Sequence, residues 1–242
     1  MDRYKVNLLI YSTLVLGMGS LFLFYLFLFI GPFVPLDFGL GTGRALVLDA
    51  CLSLLFFLQH SIMIRRGFRD RLKRHISEEY IPAFFGLVSS LPLIALILFW
   101  QKTPGAIATA SGIFYWVLRG LFLLCIAGFY WGMRSLGSFD PFGVIAIRRL
   151  MRNKQAKPVS LKVRGPYRWV RHPLYLFSLL MIWSYPILTK DRLLFNILWS
   201  IWIVIATMLE ERDLVHDFGD DYRDYQAKVP MLIPYKLPLK TN

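Results

Sequence analysis

Val6 to Ile30 reads VNLLIYSTLVLGMGSLFLFYLFLFI, with no charged side chain anywhere in it. An apolar run of about 20 residues reaches across a hydrocarbon core roughly 30 Å thick, so the stretch predicts a membrane-crossing helix. Ala45 to Ile64 repeats the pattern with Asp49 as its one charge. Arg3 and Lys5 ahead of the first run would suit a secretory leader. The run is longer than a typical leader core, however, and no small-residue cleavage pattern comes after it, so it reads as a retained helix. The whole chain is 56% hydrophobic, above the roughly 45–50% of soluble domains.

Further apolar runs place the predicted spans at 6–30, 45–64, 80–100, 113–133, 173–189 and 193–209. Gly31-Pro32 closes the first, Pro82 fits the first turn of the third, and Pro92 predicts a kink within it. Thr189–Arg192 reads as the tight link of a helical hairpin, whose first arm holds Pro186 and need not cross fully. The expected fold class is therefore all-α: a polytopic membrane protein of about six transmembrane or membrane-embedded helices, with a C-terminal hairpin and a cytosolic amphipathic tail. Residues 1–133 form a four-helix membrane region in this reading, and 134–242 a separate C-terminal module.

A net charge of +13 would point to nucleic acid in a soluble protein, but here the cations sit in particular loops. Lys and Arg number 23 in the N-terminus, the 65–79 loop, the 134–172 segment and the tail from Arg212; four (Arg44, Lys102, Lys190, Arg192) lie on the other side. Such asymmetry predicts both termini in the cytosol and an even number of crossings. The basic middle from Arg148 to Lys162 suits anionic headgroups. Cys51 and Cys125 fall inside apolar runs and lack ligand spacing, so they predict buried small hydrophobes rather than a disulfide or zinc site.

Two polar segments flank the predicted hairpin. Arg164-Gly165-Pro166-Tyr167-Arg168-Trp169-Val170-Arg171-His172-Pro173-Leu174-Tyr175 places a Gly-Pro turn, arginines and a histidine directly before an apolar helix. Pro173 suits the first helical turn; the backbone N–H groups there, with Arg171, favour a carboxylate. An interfacial aromatic and basic belt would use the same residue types. After the sixth span comes Glu210-Glu211-Arg212-Asp213. Carboxylates at a membrane helix end are costly unless paired or solvated; they mark either a helix emerging into water or a polar cavity able to accept hydrogen bonds from an amine or ribose hydroxyls.

Gly165-Pro166-Tyr167, Arg171-His172-Pro173-x-Tyr175, Glu210-Glu211 and Tyr222-x-x-Tyr225-x-x-x-Val229-Pro230, in that order around one hairpin, resemble the integral membrane methyltransferases, the family of isoprenylcysteine carboxyl methyltransferases and phospholipid methyltransferases. Glu210-Glu211-Arg212-Asp213-Leu214, Phe218-Gly219-Asp220-x-Tyr222, Gln59-His60-Ser61-Ile62-Met63 and Phe139-Asp140-Pro141-Phe142-Gly143 narrow the resemblance to its bacterial methanethiol S-methyltransferase subgroup, from about residue 50 onward. The resemblance implies an S-adenosylmethionine-dependent enzyme with no metal, held in the bacterial inner membrane. It implies cofactor binding by Arg164, Gly165, Tyr167, Arg171, His172, Pro173, Tyr175, Glu210 and Glu211. Two positions depart from the pattern: Phe177 stands where the wider family often has glycine, and Pro141 replaces an expected apolar residue.

The expected acceptor is a small thiol, methanethiol first, which reacts as its thiolate and so needs a nearby base or positive field. His60, at the end of the second span, is the candidate base, and interfacial structure is its alternative. Asp140 could act as a base or orient His60, or it could simply form a turn. Competing readings are a lipophilic acceptor (an isoprenylcysteine carboxylate or phospholipid amine) and a non-catalytic relative linked to nitrite and nitric oxide reduction. A transporter is disfavoured because no inverted repeat is visible. Partners expected are the acceptor and membrane lipid, with no nucleic acid and no metal.

Overall fold

A computed structural model describes residues 3–137, 140–152, 154 and 160–239. Phe139 of the quoted motif, part of the basic stretch between Arg148 and Lys162, and Lys240 lie outside these described residues. In chain order the elements are α1 (Arg3–Ile30), α2 (Thr42–Ile64), α3 (Arg66–Lys73), α4 (Ile81–Phe99), β1 (Ala106–Thr109), α5 (Gly112–Leu136) and α6 (Val144–Leu150). A 3-10 turn over Gly165–Arg168 then precedes α7 (Pro173–Trp183), β2 (Ile187–Thr189), α8 (Lys190–Phe218) and α9 (Asp220–Lys228). Among the described residues five helices, α1, α2, α4, α5 and α8, are long and apolar enough to cross a membrane, α4 with its lead-in turn from Glu78. The protein is a polytopic, mostly helical membrane protein.

The first four predicted spans coincide with α1, α2, α4 and α5. The last two need correction. α7 has 11 residues, about 16 Å at 1.5 Å per residue, too short to cross alone. The link from α7 to α8 is not a helical turn. Instead β2 is extended and pairs with β1, and the Ala110 N–H donates to the Pro186 carbonyl at 2.8 Å. α8 runs 29 residues, so Glu210 and Glu211 lie inside a helix rather than beyond its end. Pro92 sits within the continuous α4.

The chain forms two compact units, each drawn from separate stretches of sequence. One comprises Met1–Gly105, Asp140–Pro158 and Thr189–Phe195; the other comprises Ala106–Phe139, Val159–Leu188 and Asn196–Asn242. In the first, Val6 and Ile10 of α1 bury against Ala83 of α4 and Ile147 of α6. Phe142 seats beside Gly17 and Gly86: a Cβ on Gly86 would lie 3.0 Å from its ring. At another end of this unit, Phe27, Trp100 and Phe195 pack ring to ring with centroids 5.4–5.6 Å apart. Asp191 accepts hydrogen bonds from Trp100 Nε1 (3.2 Å), Thr103 N (2.9 Å) and Thr103 Oγ1 (2.6 Å). Arg192, counted above as a loop cation, is buried here and donates to the Leu28 carbonyl at 3.2 Å. Cys125 is buried but Cys51 is exposed; an apolar side chain on a spanning helix can face lipid as readily as protein, so location in an apolar run does not fix burial.

In the second unit α5 packs on α7 through glycine notches. A Cβ on Gly128 would fall 2.6 Å from the Phe177 ring, and one on Gly132 would fall 2.6 Å from Leu174. The Phe177 departure is thereby accommodated by a missing side chain on the facing helix. Small residues let membrane helices approach closely, and packing of this kind supplies much of their association energy. Gly128→Ala is expected to lower the unfolding midpoint in detergent, with an overpacking cost of about 1–3 kcal/mol. In a Phe177→Ala background the same substitution should cost far less; additive losses in a double-mutant cycle would refute the notch.

Candidate active site

The approach segment to α7 and the end of α8 meet in the second unit. Gly165 opens the 3-10 turn at φ +55°, a left-handed conformation suited to glycine. Pro166 follows it, and Pro173 starts α7 with His172 as the residue before the helix. The backbone N–H groups of Arg171 and His172 are taken by the carbonyls of Pro230 (2.9 Å) and Met231 (3.1 Å). The Tyr225 hydroxyl donates to the Tyr167 carbonyl at 2.5 Å. Leu239 N–H donates to the Arg168 carbonyl at 3.1 Å, and Arg168 Nε donates back to the Leu239 carbonyl. The chain after α9 is thus sewn along the segment preceding α7.

At the centre lies Glu211. Arg171 grips it bidentately, Nε to Oε1 at 2.8 Å and Nη2 to Oε2 at 2.7 Å. His172 Nε2 lies 2.7 Å from Oε1, the Tyr222 hydroxyl donates to the same oxygen at 2.7 Å, and Gln226 Nε2 donates to Oε2 at 2.5 Å. Arg171 Nη1 also donates to the carbonyls of Gln226 (3.2 Å) and Val229, closing the last turn of α9, where helix carbonyls lack intrahelical partners. Burial works against the Arg171 charge, but its bonds to Glu211 outweigh it and hold the guanidinium above its usual range. Burial, reinforced by the Glu211 bond, pushes the Tyr222 hydroxyl up, so it remains a donor.

The sequence assigned Arg171 and the helix start to an external carboxylate. In the structure Glu211 of the chain itself takes the Arg171 guanidinium, so those two side chains are largely spent on each other, while the Arg171 and His172 N–H groups go to backbone carbonyls. Glu210 differs. Its side chain is 42% exposed and its Oε2 stands 3.8 Å from His172 Nδ1, yet that oxygen is buried without a hydrogen-bond partner among the described residues. Tyr167 stands close by: burial first, and then the Glu210 charge, raise its hydroxyl pKa. Tyr175 stacks on the His172 ring at 5.7 Å. An ionised carboxylate only accepts, so the Glu210 and His172 edge suits a ligand ammonium or hydroxyl. Pro173 is buried at the helix start, and Arg164 is exposed ahead of the turn. Tyr222 and Tyr225 stand in the sequence motif without a role, and Gln226 lies outside it. Their i, i+3 and i+4 spacing on a short polar helix was the available signal.

His60 and Asp140 belong to the first unit. The His60 ring lies between Phe56 (5.2 Å) and Phe85 (4.8 Å), while Gln59 Nε2 donates to Ser89 Oγ at 3.2 Å. Asp140 Oδ2 accepts from the N–H groups of Ile145 (2.7 Å) and Ala146 (2.9 Å). It thereby satisfies donors in the first turn of α6 that have no intrahelical partner. Asp140 serves the turn, and the adjoining Pro141-Phe142-Gly143 carries Phe142 into its glycine slot.

A family profile described as phospholipid methyltransferase matches residues 114–221. Methanethiol S-methyltransferase 2 of Bradyrhizobium diazoefficiens is 31% identical over 235 residues, covering 95% of this chain and 91% of that protein. Methanethiol S-methyltransferase of Mycobacterium tuberculosis is 30% identical over 239 residues, covering 93% and 97%. Nurim of Rattus norvegicus is 25% identical over 179 residues, covering 70% and 68%. No solved structure matches the chain significantly.

Proposed function

The chain belongs to the integral membrane methyltransferase family that includes the phospholipid methyltransferases, and from that membership we propose that it transfers a methyl group from S-adenosylmethionine to a small thiol, methanethiol. The observation that carries the acceptor is the extent of the likeness. The phospholipid methyltransferase profile matches 114–221 alone, whereas likeness to the methanethiol enzymes covers 95% of the chain and includes the His60 helix.

The second unit's residues fit the donor. When bound, S-adenosylmethionine supplies an electrophilic methyl group on a sulfonium. Glu210 Oε2, buried and without a partner among the described residues, would accept from its ammonium or ribose, His172 would orient against the same group, and Tyr167 and Tyr175 offer aromatic faces. Displacement at a methyl carbon asks the protein mainly for alignment and exclusion of water. The thiol must lose its proton, and His60, set between two phenylalanine rings, is the group proposed to take it. Asp140 is assigned to α6 rather than to proton transfer.

We also propose the bacterial inner membrane with both termini cytosolic. α7 and the extended residues to Thr189 together reach about 35 Å at 1.5 and 3.3 Å per residue, which permits an even number of passes. The extended residues Ile187–Thr189 pair with β1 rather than standing alone.

Two measurements on detergent-purified protein test the reading. Calorimetry should show saturable S-adenosylhomocysteine binding, and labelled methyl should pass to methanethiol. Absence of binding would sink the donor assignment. Binding with transfer only to a prenylcysteine or phospholipid would instead favour a lipid-borne acceptor. His60→Asn should abolish thiol methylation while leaving S-adenosylhomocysteine affinity intact.

A further inference from the structure

We propose that Gln226 and Tyr222 are positioning residues for the methyl donor, acting through Glu211 to fix the edge that His172 presents beside Glu210. The inference rests on the reading that the donor binds at Glu210 and His172. Both α9 side chains reach Glu211 rather than Glu210: Tyr222 at Oε1 (2.7 Å) and Gln226 at Oε2 (2.5 Å). Four residues apart, they occupy one face of α9, and each serves a different carboxylate oxygen.

An ionised carboxylate offers about four lone-pair directions and no donor. Glu211 receives five donors, three from Arg171 and His172 and two from α9. Because Glu211 can only accept, His172 Nε2 is the donor of their bond, and in the neutral ring Nδ1 then carries the lone pair. That nitrogen faces the buried Glu210 Oε2 at 3.8 Å. In that neutral form the two edges offer acceptors to one donor group of a ligand. Arg171 holds both Glu211 oxygens through its two parallel bonds. The α9 donors add one bond to each of those oxygens, and the Tyr222 hydroxyl also stands 3.5 Å from His172 Nε2, so α9 helps hold the His172 ring in place.

α9 can serve in this way because it is anchored independently of the ligand. Tyr222, Tyr225 and Val229 are buried together against Leu214, Val215, Phe218 and Leu161. The carbonyls after the helix grip Arg171 and His172. Asp220 and Asp221 open the helix and Lys228 closes it, signs that suit the helix dipole.

The test compares Gln226→Leu, which removes the donor, with Gln226→Lys, which retains one of similar reach. S-adenosylhomocysteine affinity of the full-length protein in detergent is the first readout, and donor KM against kcat is the second. Gln226→Leu should weaken binding about tenfold, the scale of a hydrogen bond to a charged group, and raise donor KM with kcat nearly unchanged. Gln226→Lys should stay within about threefold of the parent, on the same reasoning. Tyr222→Phe should repeat the leucine result, and it stands in if that variant fails to fold. Parental affinity in Gln226→Leu, or equal weakening in the lysine variant, overturns the proposal. If the parent protein itself does not bind S-adenosylhomocysteine, the donor reading falls and takes this inference with it; parental binding with an indifferent Gln226→Leu removes the inference alone.

Discussion

Glu211→Gln should lose S-adenosylhomocysteine binding by two orders of magnitude or more and also lower the unfolding midpoint. Arg171 and Glu211 are each only 10% exposed at the side chain. Removing one partner of such a pair leaves the other charge desolvated, at a cost of about 3–5 kcal/mol. The amide would also present a donor at one of the two oxygen positions, either where Tyr222 and His172 meet Oε1 or where Gln226 meets Oε2, so the loss reaches at least one further group. Part of the cost will appear in folding and part in affinity, since every 1.4 kcal/mol expressed in binding is tenfold. Glu210→Gln is the contrasting case. Glu210 Oε2 has no hydrogen bond to lose among the described residues, so the midpoint should hold while affinity falls. A Glu211→Gln protein with parental midpoint and parental affinity would remove Glu211 from the centre of the site. Equal midpoint losses in both variants would show that Glu210, too, is internal structure.

The same pair explains what could and could not be read from the sequence. The long apolar runs declared α1, α2, α4 and α5 directly, because lipid imposes both length and composition on a crossing. The predicted span stopped short of Glu210 and Glu211, whose sequence left open a helix emerging into water or a polar cavity, whereas α8 runs on through both. The cost of Glu211 in a helix depends on Arg171, and nothing in the local sequence says that a residue 40 positions earlier will supply the counter-charge. The site residues were therefore legible as a set, while their mutual engagement was not. Arg171 looked like a ligand donor and is mostly an internal tie. α7 was overextended for a different reason: Ile187-Leu188-Thr189 is as apolar as a helix, and only pairing with β1 makes it a strand. Phe177 looked like a bare departure from the family pattern because the notch that receives it, Gly128, lies on another helix. Asp140 before Pro141 was ambiguous between turn and chemistry, and its bonds to Ile145 and Ala146 favour the turn.

Gly165→Ala should be the most damaging methyl-sized addition in the second unit, for two separable reasons. Gly165 has φ +55°, and an L-residue there costs roughly 1–2 kcal/mol. Its Cβ would also lie 3.0 Å from Trp131 Nε1 and 3.1 Å from Ser135 Cβ, with Ser135 Oγ nearer still. Overpacking of that kind adds about 1–3 kcal/mol. Ser135 cannot swing away freely, because its hydroxyl donates to the Trp131 carbonyl at 2.8 Å. Trp131 in turn packs edge-on against Trp169 at 5.7 Å. The displacement would pass along the turn to Tyr167 and thence to Arg171 and His172, so affinity for S-adenosylhomocysteine should fall with the midpoint. Ser135→Gly in the same chain separates the two causes. It should return the packing share and leave the backbone share, giving partial recovery of both readouts. Complete recovery would mean that the left-handed conformation carries no cost here. No recovery would mean that the clash with Ser135 is relieved without help, and that the turn tolerates a Cβ on the side facing α5.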